Sequence, residues 1–384
     1  MLLRLPAHRA RDVILVDPTD VERPVGFNPL LIEEQDPLRY RLARDAMVDD
    51  LYSCVDRIYD LGRHGFSGPI FESHFRGMLS LLMGLEPPKP PFVPNLMVFG
   101  ALYNNPSLRK VLSKRIQGQD FVVEDFLRMA EAATGDQAIK NMAPYVTSKF
   151  NRFISDLALR NITCQNRTLD FDRIVREKKV LLFYLGKGRF GDLAAGLMAS
   201  QLVSRIRVSV MKRGAGSDEP PFYLYADEFQ LFADQRFAEL LAEARKFKLA
   251  LTLAHQYSQQ IPEPILRAVL GNVGTTIVFR VGSEDSQLLQ PLFSPVFNHR
   301  DLTSLSNFRA YVRTFGTLGE TPFSVDVPPP PGDVFPWRPR WIREMSRLRY
   351  GRTRETVENE IRETYCAYVT PSENPETEPK RTSR

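Results

Sequence analysis

The chain has 384 residues, 43% hydrophobic and 25% charged, with a formal charge of +5. This is the make-up of an ordinary globular protein with enough apolar mass for a large core, and an excess of basic residues this small neither requires nor excludes a nucleic-acid partner. No apolar run approaches the roughly 20 residues of a membrane-spanning helix, the arginine-bearing N-terminus has no signal-peptide core, and Cys54, Cys164 and Cys366 show neither metal nor disulfide spacing, so a reducing cytosol is the expected compartment.

In chain order, the first element is the apolar run Val13–Val16, which stops at Asp17 and Pro18. The proline cluster from Pro87 to Pro91 opens a region reaching Arg167 whose periodicity is helical, with no strand candidate. It is expected to be an all-helical subdomain inserted into an α/β core. Lys179–Leu185 reads as a strand and Asp192–Met211 as a helix ended by Gly214 and Gly216. Phe222–Ala226 is a strand. Phe237, Leu240, Leu241 and Ala244 then form one apolar stripe on a helix over Gln235–Phe247. Leu249–Ala254 and Thr275–Val281 complete five strands. None alternates apolar with polar, as expected for a mostly parallel sheet buried on both faces.

Pro328–Pro331 reads as a polyproline linker. Beyond it, Arg338, Arg340, Arg343, Arg347, Arg349, Arg352 and Arg354, with Trp337, Trp341 and Tyr350, form a basic segment able to touch DNA or an acidic partner, and Thr370 onward reads as disordered. The expected division is a core remnant over 1–86, the helical insertion over 87–167, the rest of the core over 168–327, and the linker and tail over 328–384.

The chemistry concentrates where Phe222–Ala226 delivers two adjacent carboxylates, Asp227 and Glu228. This is the Walker B arrangement of nucleotide-hydrolysing motors. The first carboxylate helps hold Mg²⁺ and the second orients the water that attacks the γ-phosphate. Ligands bind outside the carboxyl ends of parallel strands, which puts both groups in place. The next strand ends in Ala254-His255-Gln256. Gln256 is a candidate γ-phosphate sensor, while His255 reads as a structural hydrogen-bond partner. Arg280 follows Phe279 among apolar residues and needs a partner or a function. It is either an arginine offered to a neighbouring subunit's nucleotide or one half of an ion pair with Glu284 or Asp285.

Together these stretches resemble the conjugative coupling ATPases of type IV secretion, the TraG/TraD group with a C-terminal region of the TraM-recognition type, and more broadly the HerA/FtsK ring translocases. The resemblance rests on Asp227-Glu228-Phe229-Gln230, Leu241–Lys246, Leu253–Tyr257, Gly271–Gly274 and Phe279–Asp285, with Val16-Asp17-Pro18, Phe27–Leu30 and Tyr184–Gly191. It implies a RecA-like P-loop NTPase core that uses ATP and Mg²⁺. Asp227 would be the metal-associated carboxylate, Glu228 the catalytic base, Gln256 the sensor, Arg280 a residue acting across the subunit boundary, and Asp17 a neighbour of the nucleotide. It also implies a homo-oligomeric ring, with a hexamer expected, that grips the DNA backbone without reading bases and works with relaxosome or secretion-channel proteins at the cytoplasmic face of the bacterial inner membrane. Arg245, Lys246 and Lys248 are candidates for the DNA contact, or simply a solvated helix end. A DNA pump without a secretion role and a non-catalytic scaffold are the competing readings.

One part is absent from the sequence. No GxxxxGK followed by Ser or Thr occurs. The glycine-rich turn Gly186-Lys187-Gly188-Arg189-Phe190-Gly191 has the wrong spacing to cradle phosphates. In RecA-like folds the phosphate-loop strand lies between the sensor strand and the next, so its loss is expected to leave internal edges unpaired. The expectation is therefore a C-terminal part of a longer protein.

Overall fold

The computed structural model describes residues 2–59, 68–216, 218–315, 321–330 and 334–369. Its elements in chain order are β1 (Val13–Val16), α1 (Pro37–Tyr59), α2 (Pro69–Met83), α3 (Leu96–Asn104), α4 (Pro106–Ile116), α5 (Phe121–Ala132), α6 (Ile139–Thr147), α7 (Asn151–Ser155), α8 (Leu157–Thr163), α9 (Phe171–Arg176), β2 (Val180–Phe183), α10 (Lys187–Met211), β3 (Phe222–Ala226), α11 (Gln235–Glu243), β4 (Leu249–Leu253), α12 (Glu263–Asn272), β5 (Thr275–Val278), α13 (Ser283–Phe293), α14 (His299–Thr303), β6 (Arg309–Thr314), β7 (Phe323–Asp326), α15 (Arg338–Tyr350) and α16 (Arg354–Val369). They fall into two compact units. One comprises Ala7–Ile206 and Arg340–Arg384 and is mainly helical. The other comprises Met1–Pro6 and Arg207–Pro339 and holds most of the strands. Among the described residues, no helix is long and apolar enough to cross a membrane.

The helical unit is organised around α2, which packs on α1, α3, α4, α5 and α6. Its apolar residues Phe71, Phe75, Met78, Leu79 and Leu82 recur at helical spacing and are all buried. Pro69 pre-sets the first turn, and Gly84 at φ 68° ends the helix by returning its N–H to the Ser80 carbonyl. Phe75, Phe99 and Phe150 pack with ring centroids 5.6–6.0 Å apart. Neighbouring helices start on side-chain caps: Asn95, Asn105, Asp120 and Asp156 each accept a backbone N–H of the turn that follows. The helical body therefore includes α1 and α2, upstream of Pro87, as well as the stretch from Pro87 to Arg167.

In the same unit β1 and β2 pair in parallel, Val13 opposite Val180. α15 returns to this pair, and α16 packs on α3 and α8. Ser346, 2% exposed, accepts the Leu15 N–H at 2.8 Å on the side of β1 away from β2. Arg347 binds Asp20 at 2.8 Å, Arg352 binds Glu360 at 2.7 Å and Arg354 binds Glu22 at 3.3 Å. Much of the basic segment thus meets carboxylates of its own chain. Gly351 pairs with Val25. Residues 370–384, read from sequence as disordered, lie outside the described residues.

The five strands read from sequence all form, but not as the single mostly parallel sheet expected. In the second unit β3 and β4 form a parallel pair, whereas β5 joins β6 and β7 in an antiparallel sheet. β1 is buried on both faces as expected, but the strands of the second unit are not: Tyr223 and Tyr225 of β3 are 60% and 73% exposed, and Ile277 of β5 is 58% exposed. Only one face of each is covered. That of β5 packs through Val278 on Phe293 and Leu302, with Phe297 stacked on Tyr311 at 3.7 Å. The hairpin of β6 and β7 escapes the sequence reading because Arg309 and Arg313 interrupt its apolar run.

Two outcomes follow from this packing. A Cβ at position 351 would strike the carbonyl oxygens of Arg23 and Arg347, so Gly351→Ala is expected to cost roughly 1–3 kcal/mol in urea denaturation. Gly271→Ala opens onto free space and is expected to be neutral or to gain up to about 1 kcal/mol. His74 is buried, edge-on to Phe126, and burial lowers its pKa against a backbone hydrogen bond at Gln137. The unfolded chain therefore binds this proton more readily. Stability present above pH of about 6.5 should fall as pH drops below it. His74→Leu should remove that part of the loss when urea midpoints are compared at neutral and mildly acidic pH.

Candidate functional site

The site grows from the ladder between β3 and β4. Ala226 stands opposite Leu253, and the pairing runs one step past both strands. Ala254 gives its N–H to the Ala226 carbonyl at 2.9 Å and accepts the Phe229 N–H at 3.2 Å. Between those two bonds the chain must turn, and it does so at Glu228, which adopts φ 55° and ψ 41°. A non-glycine residue in this left-handed region carries strain of order 1–3 kcal/mol. Asp227 Oδ1 accepts the Glu228 N–H at 3.0 Å within the turn. Phe229, fully buried, stacks on Phe237 at 5.8 Å and receives the His255 ring edge-on at 5.5 Å. The anchored phenylalanine on one side and Ala254 on the other fix where the two carboxylates emerge.

Glu228 is half-buried and both its oxygens are held. Oε1 accepts the Gln256 amide at 2.6 Å and Oε2 accepts the Gln230 amide at 2.7 Å. These two amides are neutral donors that orient the carboxylate. Asp227 is exposed and its Oδ2 has no hydrogen-bond partner among the described residues. Loss of solvent around the His255 ring lowers its pKa from the ordinary value, outweighing the opposite pull of Asp285, a backbone hydrogen bond at Tyr257, and Glu228. His255 is thus favoured in its neutral form, packed on Phe229.

The sequence-derived candidates divide into three groups. Asp227, Glu228 and Gln256 converge at the carboxyl ends of β3 and β4. Arg245, Lys246 and Lys248 lie at the amino end of β4, a strand length of about 16 Å away. Arg245 and Lys246 are exposed, and Lys248 is half-buried at φ 53°. Arg280 follows β5, exposed and without an ion pair among the described residues. The alternative of a bond to Glu284 or Asp285 is not formed; Asp285 accepts the Ser258 N–H and Glu284 binds Gln259. Asp17 belongs to the helical unit, where it accepts both the N–H and the hydroxyl of Thr19 and lies 3.6 Å from Arg343.

The turn Gly186–Gly191 is no phosphate cradle. The Arg189 and Phe190 N–H groups both close onto the Gly186 carbonyl at 2.9 Å, and Lys187 pairs with Asp192. Sequence reasoning named Gln230 only as part of a motif and passed over Gln260. The available signal was the density of glutamines at positions 256, 259 and 260 just after the β4 strand end.

No protein-family model and no curated protein matches the chain. Solved structures do. The plasmid coupling protein TrwB in complex with the non-hydrolysable GTP analogue GDPNP is 13% identical, with 87% of this chain and 77% of that chain covered and a TM-score of 0.54. TrwB in complex with ADP and Mg²⁺ is 13% identical over 84% of this chain and 75% of that one, with a TM-score of 0.51. The unbound monoclinic form of the conjugative coupling protein TrwBdeltaN70 gives 12% identity, 84% and 75% coverage, and a TM-score of 0.52. At such low identity these likenesses establish a shared fold.

If Phe229 anchors the turn, shortening it should both destabilise and disorganise the site. Phe229→Ala is expected to cost about 3–5 kcal/mol and Phe229→Leu distinctly less, read as the shift in urea midpoint.

Proposed function

We propose that this chain carries the carboxylate half of the hydrolytic site of a DNA-translocating ATPase of the conjugative-coupling type. The observation that carries the reading is the 2.6 Å bond from Gln256 to Glu228 across a parallel strand pair. It joins a carboxylate able to activate water to an amide able to sense what that water attacks. The shared fold with TrwB, whose structures include complexes with nucleotide analogues and with ADP and Mg²⁺, supports it.

In this reading Glu228 orients and polarises the attacking water, held in one rotamer by two amides so that little reorganisation is needed. The donor set at Asp227, an exposed carboxylate oxygen with no partner among the described residues, suits a hard cation such as Mg²⁺, held directly or through water. When bound, the cation would neutralise charge on nucleotide oxygens. Arg280, exposed and unpaired among the described residues, is free to reach a neighbouring subunit's nucleotide in a ring, for which a hexamer is the expected size. Asp17 is assigned beside the nucleotide on the resemblance alone. The phosphates themselves need a cradle, which the sequence does not offer as a GxxxxGK motif and the Gly186 turn, closed on itself, does not supply. DNA would meet Arg245 and Lys246 through its backbone, at the cytoplasmic face of the membrane and alongside relaxosome or secretion-channel proteins.

The full chain, titrated with a fluorescent ATP analogue, is expected to bind weakly, at roughly millimolar Kd, more tightly with Mg²⁺, and less so as Asp227→Asn. Submicromolar Mg²⁺-dependent binding would overturn the half-site reading. Binding indifferent to both Mg²⁺ and Asp227 would favour the scaffold. Glu228→Gln is expected to lower turnover at saturating Mg-ATP at least about 100-fold. Duplex DNA affinity should fall steeply with salt, and the variant with Arg245→Ala and Lys246→Ala should flatten the log–log slope by about 1–2.

A further inference from the structure

Gln230 sits in an unusual bind. An ionised carboxylate only accepts, so Gln230 must turn its NH₂ toward Glu228. That one NH₂ serves two acceptors, Glu228 Oε2 at 2.7 Å and Gln260 Oε1 at 3.0 Å. Its own carbonyl oxygen is left buried with no donor among the described residues. A buried acceptor without a partner is destabilising by roughly 1–3 kcal/mol. This lies two residues from Glu228, whose backbone is itself strained. Two locally unfavourable features at one spot, in a turn that glycine and an apolar side chain would fill at lower cost, point to selection for geometry rather than stability.

The bond does not stop at Gln260. Gln260 belongs to a short 3-10 turn, Ser258–Gln260, that lies against the start of α13. Asp285 accepts the Ser258 N–H at 3.2 Å, and Gln259 binds Glu284. Both acids are in the first turn of α13, which follows Arg280 by three residues. Two hydrogen bonds from the first turn of α13 therefore hold the Ser258 turn, whose last residue, Gln260, accepts from the same Gln230 amide that holds the second oxygen of Glu228.

Resting on the hydrolytic reading of this site, we propose that Gln230 and Gln260 are positioning residues that fix the second oxygen of Glu228 and tie its orientation to the segment bearing Arg280. Gln256 holds the first oxygen from β4, and Gln230 holds the second from the far side. A shift of the α13 start, such as a neighbour engaging Arg280 would cause, moves the Ser258 turn and loosens or tightens the hold of Gln230 on that oxygen. Neither glutamine touches the reacting atoms.

The test uses the full chain with its glutamines labelled with ¹⁵N. The side-chain amide signals of Gln230, Gln256 and Gln260 are assigned by their loss in single variants. Gln230→Leu is expected to shift the Gln256 and Gln260 signals, and Gln260→Ala, an exposed change with little risk to folding, to shift that of Gln230. Turnover at millimolar Mg-ATP is then split into its parts. Gln230→Leu should lower kcat about tenfold or more with KM within about twofold, at equal or greater stability in urea because the orphaned oxygen is gone. Gln260→Ala should lower kcat by a smaller factor. Amide signals that ignore the substitutions, or a kcat unchanged in both variants while Glu228→Gln abolishes turnover, overturn the proposal and leave the site reading standing. A wild-type chain without turnover is what half a site allows, and the amide shifts then decide: their absence overturns the proposal and their presence upholds the linkage.

Discussion

Ala254 is the residue on which the site depends, through its backbone alone. Its N–H and carbonyl bond to Ala226 and Phe229, so two points three residues apart on one chain are pinned to a single residue on the other. An extended strand advances about 3.3 Å per residue and cannot meet both. The chain has to fold out between them, and the residues folded out are Asp227 and Glu228. The left-handed backbone at Glu228, the burial of Phe229 and the reach of Gln256, two residues beyond Ala254, all follow from that pair of bonds.

Much of this could be read from the residues. All five apolar runs became strands because continuous β-branched and aromatic sequence has few alternatives, and the carboxylate pair fell at a strand end as its flanking residues demanded. The cooperation of Gln230 and Gln260 could not be read, since it depends on a turn bringing together positions thirty residues apart. Nor could the fate of the arginines near the C-terminus. A run of cations looks the same in sequence whether it faces a polyanion or folds back on Asp20, Glu22 and Glu360. The sheet was misjudged for a related reason: apolar sequence on both faces of β3 states what could be buried, and Tyr223 and Tyr225 show that only one face is.

The two units deal with strand edges differently. In the helical unit, β1 meets a buried serine that takes one of its outward N–H groups, and the glycine at position 351 lets a second backbone come close enough to bridge at Val25. In the other unit β4 and β5 are not hydrogen-bonded to each other, and aromatic and aliphatic side chains stand in solvent. Exposed apolar strand faces of this kind are what partners cover.

The serine contact carries a consequence for biosynthesis. Leu15 and Ser346 are separated by 331 residues, so this edge of β1 stays open until all of them have been made. At about 5–20 residues per second this is a wait of roughly 20–65 seconds. During that interval β1 is an apolar strand with a free edge. The helices between can pack locally as they emerge, but the unit that contains β1 closes only when Ser346 has followed Leu15 out of the ribosome, a long-range contact that local packing cannot replace.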